Sequence, residues 1–295
     1  MRGSLSVLSL SAREVVRNLA MGIPAVRRLR MTRPRSTAAF NGEISALERY
    51  AVLGLRCLLR CGVDPVGRTI LEIGPGDNLV SGLSMLAAGA KRYVGIDRFG
   101  YAYESREAAV WYRALAENWS SLSARPWPEW LAVDRFPKGY PSQVEAAQME
   151  IENAAPLGKF DIVCSFQVAE LVRDLTAFIR VTNESLETDG VAVHRVYYGP
   201  HGRWALLPDP LTFLRLSDRQ WSMVSSNRGL SNRYRANEVR AALEAAGFSV
   251  ELRETTTYAD SEIAWQLLAP RFRSMPREAV LVRDETYVCR RRSGK

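Results

Sequence analysis

Thr69-Ile-Leu-Glu-Ile-Gly-Pro-Gly-Asp77, answered downstream by Val94-Gly-Ile-Asp97, is the stretch that decides the fold. Thr69 to Ile73 is a short run of the kind that forms a buried strand, and the glycines at 74 and 76 let the backbone turn sharply and approach a ligand closely. Leu79 to Ala88 then reads as a helix with its N-terminus toward the turn, and Arg92 to Ile96 as a second strand ending at Asp97. A dinucleotide-binding unit would carry a third glycine where Leu79 stands, completing G-x-G-x-x-G, so that fingerprint fails. Glu72 instead stands two residues before the first glycine. A carboxylate there repels a pyrophosphate and favours a cationic ligand, such as a sulfonium bearing an amino group. Asp97, at the end of the second strand, is placed to accept hydrogen bonds from both hydroxyls of a ribose.

Outward from this unit the alternation continues. Phe160 to Ser165 and Gly190 to Tyr197 read as strands with Ala169 to Leu186 helical between them. Asn237 to Ala246 is a helix closed by Gly247, followed by strands at Phe248 to Glu254 and Glu285 to Arg290. This spacing predicts an α/β, doubly wound, mainly parallel sheet with ligands at the carboxyl ends of its strands. Upstream, Ile44, Leu47, Ala51, Leu55, Leu58 and Leu59 recur at helical steps up to Cys61, with Cys57 and Cys61 one turn apart as a buried structural pair. Ser11 and Glu14 have the spacing of a capping box, predicting a short amphipathic helix over 12–21 that ends at Gly22 and Pro24, with a second basic turn from Ala25 to Met31. The expected organisation is a basic arm over 1–36, a helical cover over 37–66 and a main domain over 67–295, with insertions at about 111–145 and 198–235.

The E-x-G-x-G turn together with Asp97 resembles motifs I and II of class I S-adenosylmethionine-dependent methyltransferases, and the resemblance extends over roughly residues 37–292. It implies a seven-stranded sheet, S-adenosylmethionine as cofactor, and contacts to it from Glu72, Gly74, Pro75, Gly76, Asp97 and Arg98. Ile151-Glu-Asn-Ala154 and Phe160-Asp-Ile-Val-Cys-Ser165 look like the family's adenine-contacting segment and fourth strand. By that likeness Glu152 or Asn153 lies near the adenine, and Ser165 and Gln167 line the methyl-transfer face. Many relatives follow with Leu-Glu-His, whereas this chain has Ala169-Glu-Leu171. The fifth-strand region, from Gly190 through His194 to His201 and on to Asp209, Trp221, Asn232 and Arg233, is similar to bacterial methyltransferases found among polysaccharide and secondary-metabolite enzymes. Tyr197 stands there where an aspartate is common, and Pro200 where an acid precedes the second histidine.

Methyl transfer is an in-line displacement, for which an enzyme supplies orientation and a group to take the acceptor's proton. The candidate base is His201, in a Gly-Pro-His-Gly loop just beyond the fifth strand, with His194 as a structural or positioning histidine within it. The expected reaction is O-methylation of a small-molecule or saccharide acceptor without a metal. Tyr198 to Tyr234 is too long and too aromatic for a simple connection and reads as a lid or acceptor-binding insertion, or as a structural subdomain. Its arginines fit an anionic acceptor and fit solvated side chains equally. Trp111 to Tyr140, with four tryptophans, is a second candidate cover for the pocket. The turn also resembles that of ribosomal RNA adenine dimethyltransferases, but their Asn/Asp-Pro-Pro-Tyr motif is replaced by Cys164-Ser-Phe-Gln167, so a nucleic-acid substrate is the lesser alternative. A non-catalytic module keeping the cofactor fold is another.

Composition agrees with a globular protein. The chain has 295 residues and 47% hydrophobic content, and its longest uncharged stretch, Asn78 to Ala90, is too short for a spanning helix. Four cysteines with two histidines fit neither a disulfide framework nor a usual zinc site, and a cytoplasmic location is the simplest expectation. The net charge of +8 sits in the tails: residues 1–36 carry eight arginines against Glu14, and Arg290, Arg291, Arg292 and Lys295 close the chain. Such arms are either solvated or contact a phosphate-bearing partner, a protein or an anionic membrane face.

Overall fold

The computed structural model describes residues 2–26, 43–99, 103–151, 157–228 and 230–292. Seven strands form one sheet: β1 (Thr69–Ile73), β2 (Arg92–Asp97), β3 (Val144–Gln148), β4 (Phe160–Phe166), β5 (Leu186–Tyr197), β6 (Phe248–Thr257) and β7 (Val282–Arg291), in the order β3-β2-β1-β4-β5-β7-β6. β1 pairs in parallel with β2 and β4, β2 with β3, and β4 with β5, while β7 runs antiparallel between β5 and β6. The expected mainly parallel seven-stranded sheet is therefore present. Strand order reverses between β1 and β4, and a crevice opens at the carboxyl ends of strands at such a point.

Helices cover both faces. α1 (Arg2–Gly22), α2 (Ile44–Tyr50), α3 (Leu53–Arg60), α4 (Val80–Ala87) and α5 (Arg106–Glu117) precede α6 (Leu175–Ser185), α7 (Asp218–Ser225) and α8 (Ala236–Ala245). One core joins Leu47, Leu58, Leu83, Tyr93, Leu115 and Trp119; a second, built on α6 and α8, joins Phe160, Phe178, Ile179, Leu243 and Phe248. A third packs Trp204, Phe213 and Trp221 against Leu268 and Phe272. Among the described residues no helix is long and apolar enough to cross a membrane.

Several boundaries differ from the sequence expectation, each for a physical reason. The helix expected over 44–61 breaks at Ala51 and Val52, and the Ala51 carbonyl released by the break accepts from the Ser84 hydroxyl at 2.8 Å. The helix expected from Ala169 starts only at Leu175, where Asp174 caps it by accepting from the Ala177 N–H at 3.0 Å. Ser11 and Glu14 do not begin a helix, because α1 runs through them and Glu14 is buried against Arg228 and Arg17. Part of the stretch expected as the first insertion is regular structure: α5 packs on the first core through Trp111, Tyr112 and Leu115, and β3 extends the sheet edge. The basic turn expected from Ala25 falls largely outside the described residues.

Candidate active site

The glycine turn leaves β1 with Gly74 at φ 78° and Gly76 at φ 84°, the left-handed region that a residue with a Cβ enters only under strain. A Cβ on Gly74 would lie 2.5 Å from Val168, so the turn presses on the loop after β4. Over Gly76, by contrast, a Cβ would meet no atom within 4 Å, which leaves the backbone open to a ligand. Pro75 packs over Gly95, where a Cβ would come within 3.1 Å of the proline ring. Leu79, at the failed third-glycine position, is fully buried, and its N–H donates to the Tyr112 hydroxyl at 3.2 Å.

Carboxyl groups converge on this turn. Glu72 is buried and accepts from the Tyr93 hydroxyl at 2.7 Å; burial pushes its pKa up to about 7, with Asp97 adding to the rise. Asp97, also buried, accepts from the N–H groups of Gly76 at 3.2 Å and Phe99 at 2.8 Å. Burial takes its pKa to about 6 against the opposing effect of those bonds, and Asp77 pushes the same way as burial. Acids held in this way gain most from a ligand that brings positive charge. An open backbone above Gly76 with Asp97 at its edge and Glu72 beneath fits a cationic nucleoside such as S-adenosylmethionine.

Two strand ends complete the site. Gln167 follows β4, is exposed, and adopts φ 62° while its N–H donates to the Arg195 carbonyl at 2.7 Å; non-glycine residues in that region cluster at functional sites. Three residues on, the carboxyl group of Glu170 is almost wholly buried, and its Oε1 lies 3.6 Å from Nε2 of His201, which follows β5. Burial raises the Glu170 pKa above the ordinary carboxylate value, and His201 works in the other direction. Neither of those two atoms has a hydrogen-bond partner among the described residues, so each is free to close on the other. Tyr197 stacks edge-on to the His201 ring at 5.3 Å and its hydroxyl lies 3.5 Å from that of Tyr258. Glu170 is the site residue that sequence reasoning passed over; the signal was its place in Ala169-Glu-Leu171, the counterpart of Leu-Glu-His.

The other expected residues have different surroundings. His194 sits within β5, buried edge-on to Phe178, with Nδ1 2.8 Å from the Ser165 hydroxyl; burial lowers its pKa to about 3 and keeps the ring neutral. Ser165 is itself fully buried, so its hydroxyl is turned to His194 rather than to the crevice. Arg98 places Nε 3.7 Å from Glu150 and its guanidinium over the Phe99 ring. Glu152 and Asn153 lie outside the described residues. In the 198–235 region Trp204, Phe213 and Trp221 form the third core instead of lining a pocket. Its arginines are also engaged: Arg215 with Asp209, Arg228 with Glu14, Arg233 with Asp218, and Arg235 with the carbonyls of Tyr198, Val280 and Val282. These four are therefore structural groups and not anion receptors. Among the described residues no group of three or more His, Cys, Asp or Glu side chains is placed to hold a metal ion.

Comparison with known proteins follows the same lines. Residues 45–252 match the family model described as a methyltransferase domain. No curated protein matches the sequence. Similar solved structures include an S-adenosylmethionine-dependent methyltransferase from Mesorhizobium loti, 16% identical, covering 83% of this chain and 100% of that one with a TM-score of 0.45. The YcgJ protein of Bacillus subtilis is likewise 16% identical, over 80% of this chain and 97% of that one, with a TM-score of 0.45. A Haemonchus contortus phosphoethanolamine N-methyltransferase, in complex with phosphomonomethylethanolamine and S-adenosylhomocysteine, is 14% identical over 81% of this chain and 52% of that one, with a TM-score of 0.48. With a family model spanning most of its length and the expected sheet order, the chain belongs to the methyltransferase-domain family and is a class I S-adenosylmethionine-dependent methyltransferase.

Proposed function

We propose that the enzyme methylates a hydroxyl oxygen of a small-molecule or saccharide acceptor, with His201 as general base and Glu170 as the residue that positions it. One observation carries this reading: Nε2 of His201 lies 3.6 Å from a buried carboxylate at the carboxyl ends of β4 and β5, beside the loop that Gly74 presses upon. Closing on Nε2, Glu170 would orient the ring and leave Nδ1 to accept the acceptor's hydroxyl proton, and its charge would stabilise the imidazolium that forms. The cofactor supplies a methyl group activated on sulfonium sulfur. Gly74, Pro75 and Gly76 would give it the backbone surface, Asp97 would take the ribose hydroxyls, Glu72 would face the positive charge, and Arg98 and Gln167 would border it. Ser165 and His194 act from beneath, where their mutual hydrogen bond fixes the ends of β4 and β5. The connection after β5, with its own core, acts as the wall on the acceptor side. The expected location is cytoplasmic.

The test is methyl transfer from labelled S-adenosylmethionine to a panel of hydroxyl, amine and ribosomal RNA acceptors. Turnover confined to hydroxyl acceptors and lost in His201→Ala supports the reading; transfer to amines or RNA that survives the substitution defeats it.

A further inference from the structure

We propose that α1 is an interfacial helix that docks the enzyme on an anionic lipid bilayer. The helix has two faces with different duties. Its inner face is sealed on α7 and the turn after it: the buried Asn18 side chain donates to the Met223 carbonyl at 3.0 Å and to the Ser226 hydroxyl at 2.9 Å, and accepts from the Asn227 N–H at 2.8 Å. Glu14, also buried, pairs there with Arg228. The outer face carries Val16 and Leu19, one turn apart, and Ile23 follows just past the end of the helix; these are 67%, 64% and 53% exposed although each is a large apolar side chain. The inner face already holds the helix, since Leu10 and Val15 also pack on the third core and Met21 is buried, so an apolar stripe on the opposite face, which water disfavours, is not needed to keep it in place.

Charge selects the occupant. Glu14 is the one acid in residues 1–36 and is turned inward, where it pairs with Arg17 and Arg228, so the stripe is bordered by the exposed Arg13 with no acid left to face it. The sequence that follows adds Arg27, Arg28, Arg30, Arg33 and Arg35. An apolar stripe edged by arginines matches a bilayer surface, where acyl chains take the aliphatic side chains and anionic headgroups take the guanidinium groups. α1 is anchored to α7, which belongs to the same connection between β5 and α8 that carries His201. Docking would therefore orient that connection toward the lipid, a property independent of which atom the enzyme methylates.

The experiment is co-sedimentation of the full chain with vesicles of phosphatidylcholine alone and of phosphatidylcholine with about one third phosphatidylglycerol, at low and high salt. The expected result is capture by the anionic vesicles, at least tenfold weaker on neutral ones and weakened by salt. Val16→Glu, Leu19→Glu and Ile23→Glu together should lower capture at least tenfold while S-adenosylmethionine affinity, read by calorimetry, stays unchanged. Three results overturn the proposal: native protein that stays in the supernatant with anionic vesicles, a triple variant captured as well as the native chain, or a concentration-dependent dimer that the triple variant abolishes, which would make a second copy the occupant.

Discussion

The hydroxyl of Tyr93 on β2 donates to the buried Glu72 carboxylate on β1 at 2.7 Å, directly below the glycine turn. The tyrosine ring is held by two glycines: a Cβ on Gly82 of α4 would fall 2.2 Å from the ring, and one on Gly95 of β2 would fall 2.9 Å from its hydroxyl oxygen. This packing puts a donor under an acid that has few other ways to satisfy its charge. Tyr93→Phe removes the donor without changing the shape of the core. It should cost about 1–3 kcal/mol of stability by leaving the carboxylate short of a partner, and it should weaken S-adenosylmethionine binding by raising the Glu72 pKa further. Chemical denaturation and calorimetry read the two effects separately.

Gly82→Ala tests the packing itself. The added methyl group meets a buried aromatic ring enclosed on all sides, so neither partner can step aside cheaply. A loss of roughly 2 kcal/mol or more is expected from overpacking, and a variant as stable as the native chain would mean that the Tyr93 ring is not held there.

Asp97 and Glu72 also fix the pH dependence. Their pKa values stand at about 6 and about 7, above the ordinary carboxylate range because both are buried. The folded protein thus binds more protons than the unfolded chain between about pH 4 and 7, and without ligand its stability should fall as pH rises through that window. A cationic cofactor needs the ionised forms, so its affinity should run the opposite way. Binding at pH 5 is expected to be at least tenfold weaker than at pH 8, because at the lower pH about one tenth of Asp97, and still less of Glu72, is ionised. In Asp97→Asn the stability slope should shrink and cofactor affinity should be low at both pH values.

How far the sequence revealed this arrangement depends on the range of the interaction. The turn, Glu72 and Asp97 were legible because a strand, two glycines and an acid carry their meaning within a few residues. The three-dimensional role of Tyr93 was not, because it depends on Gly82 and Gly95 meeting one ring from two elements. Glu170 was hidden inside what reads as one continuous helix; the cap at Asp174, the Asn232 side chain donating to the carbonyls of Ala169 and Val172, and the Asn232 N–H donating to the Glu170 carbonyl hold it in a loop. The arginines of the 198–235 region fit an anion site and solvated side chains equally in the sequence, because sequence shows charge and not partners. β3 escaped notice since Val144–Gln148 is a half-exposed edge strand with little hydrophobic pattern.

Arg235 offers a separate check on that region. Its guanidinium is buried beneath the Tyr198 ring and donates to the carbonyls of Tyr198, Val280 and Val282, joining the end of β5 to the start of β7. Arg235→Met keeps the aliphatic bulk and strands three carbonyl groups, so a loss of about 3–5 kcal/mol is expected. Lys should recover only part of it, since one ammonium cannot present the planar fork that reaches all three acceptors. Thermal unfolding of the two variants distinguishes this structural role from an anion-binding one, which would leave stability intact.

Glu170→Gln separates catalysis from stability at the acceptor side. Burying a carboxylate that lies 3.6 Å from a half-exposed histidine costs stability, as the upward displacement of its pKa indicates. The neutral amide removes that cost, so the Tm should hold or rise. The same change takes away the charge that steadies a protonated His201, so kcat on a hydroxyl acceptor should fall at least tenfold, with KM for S-adenosylmethionine unchanged, and the basic group in the pH–rate profile should move to lower pH. His201→Ala should fall further, by about 10²- to 10⁴-fold. If Glu170→Gln loses stability and activity together while the pH–rate profile keeps its midpoint, the carboxylate is a structural group and the base must be sought elsewhere on the rim.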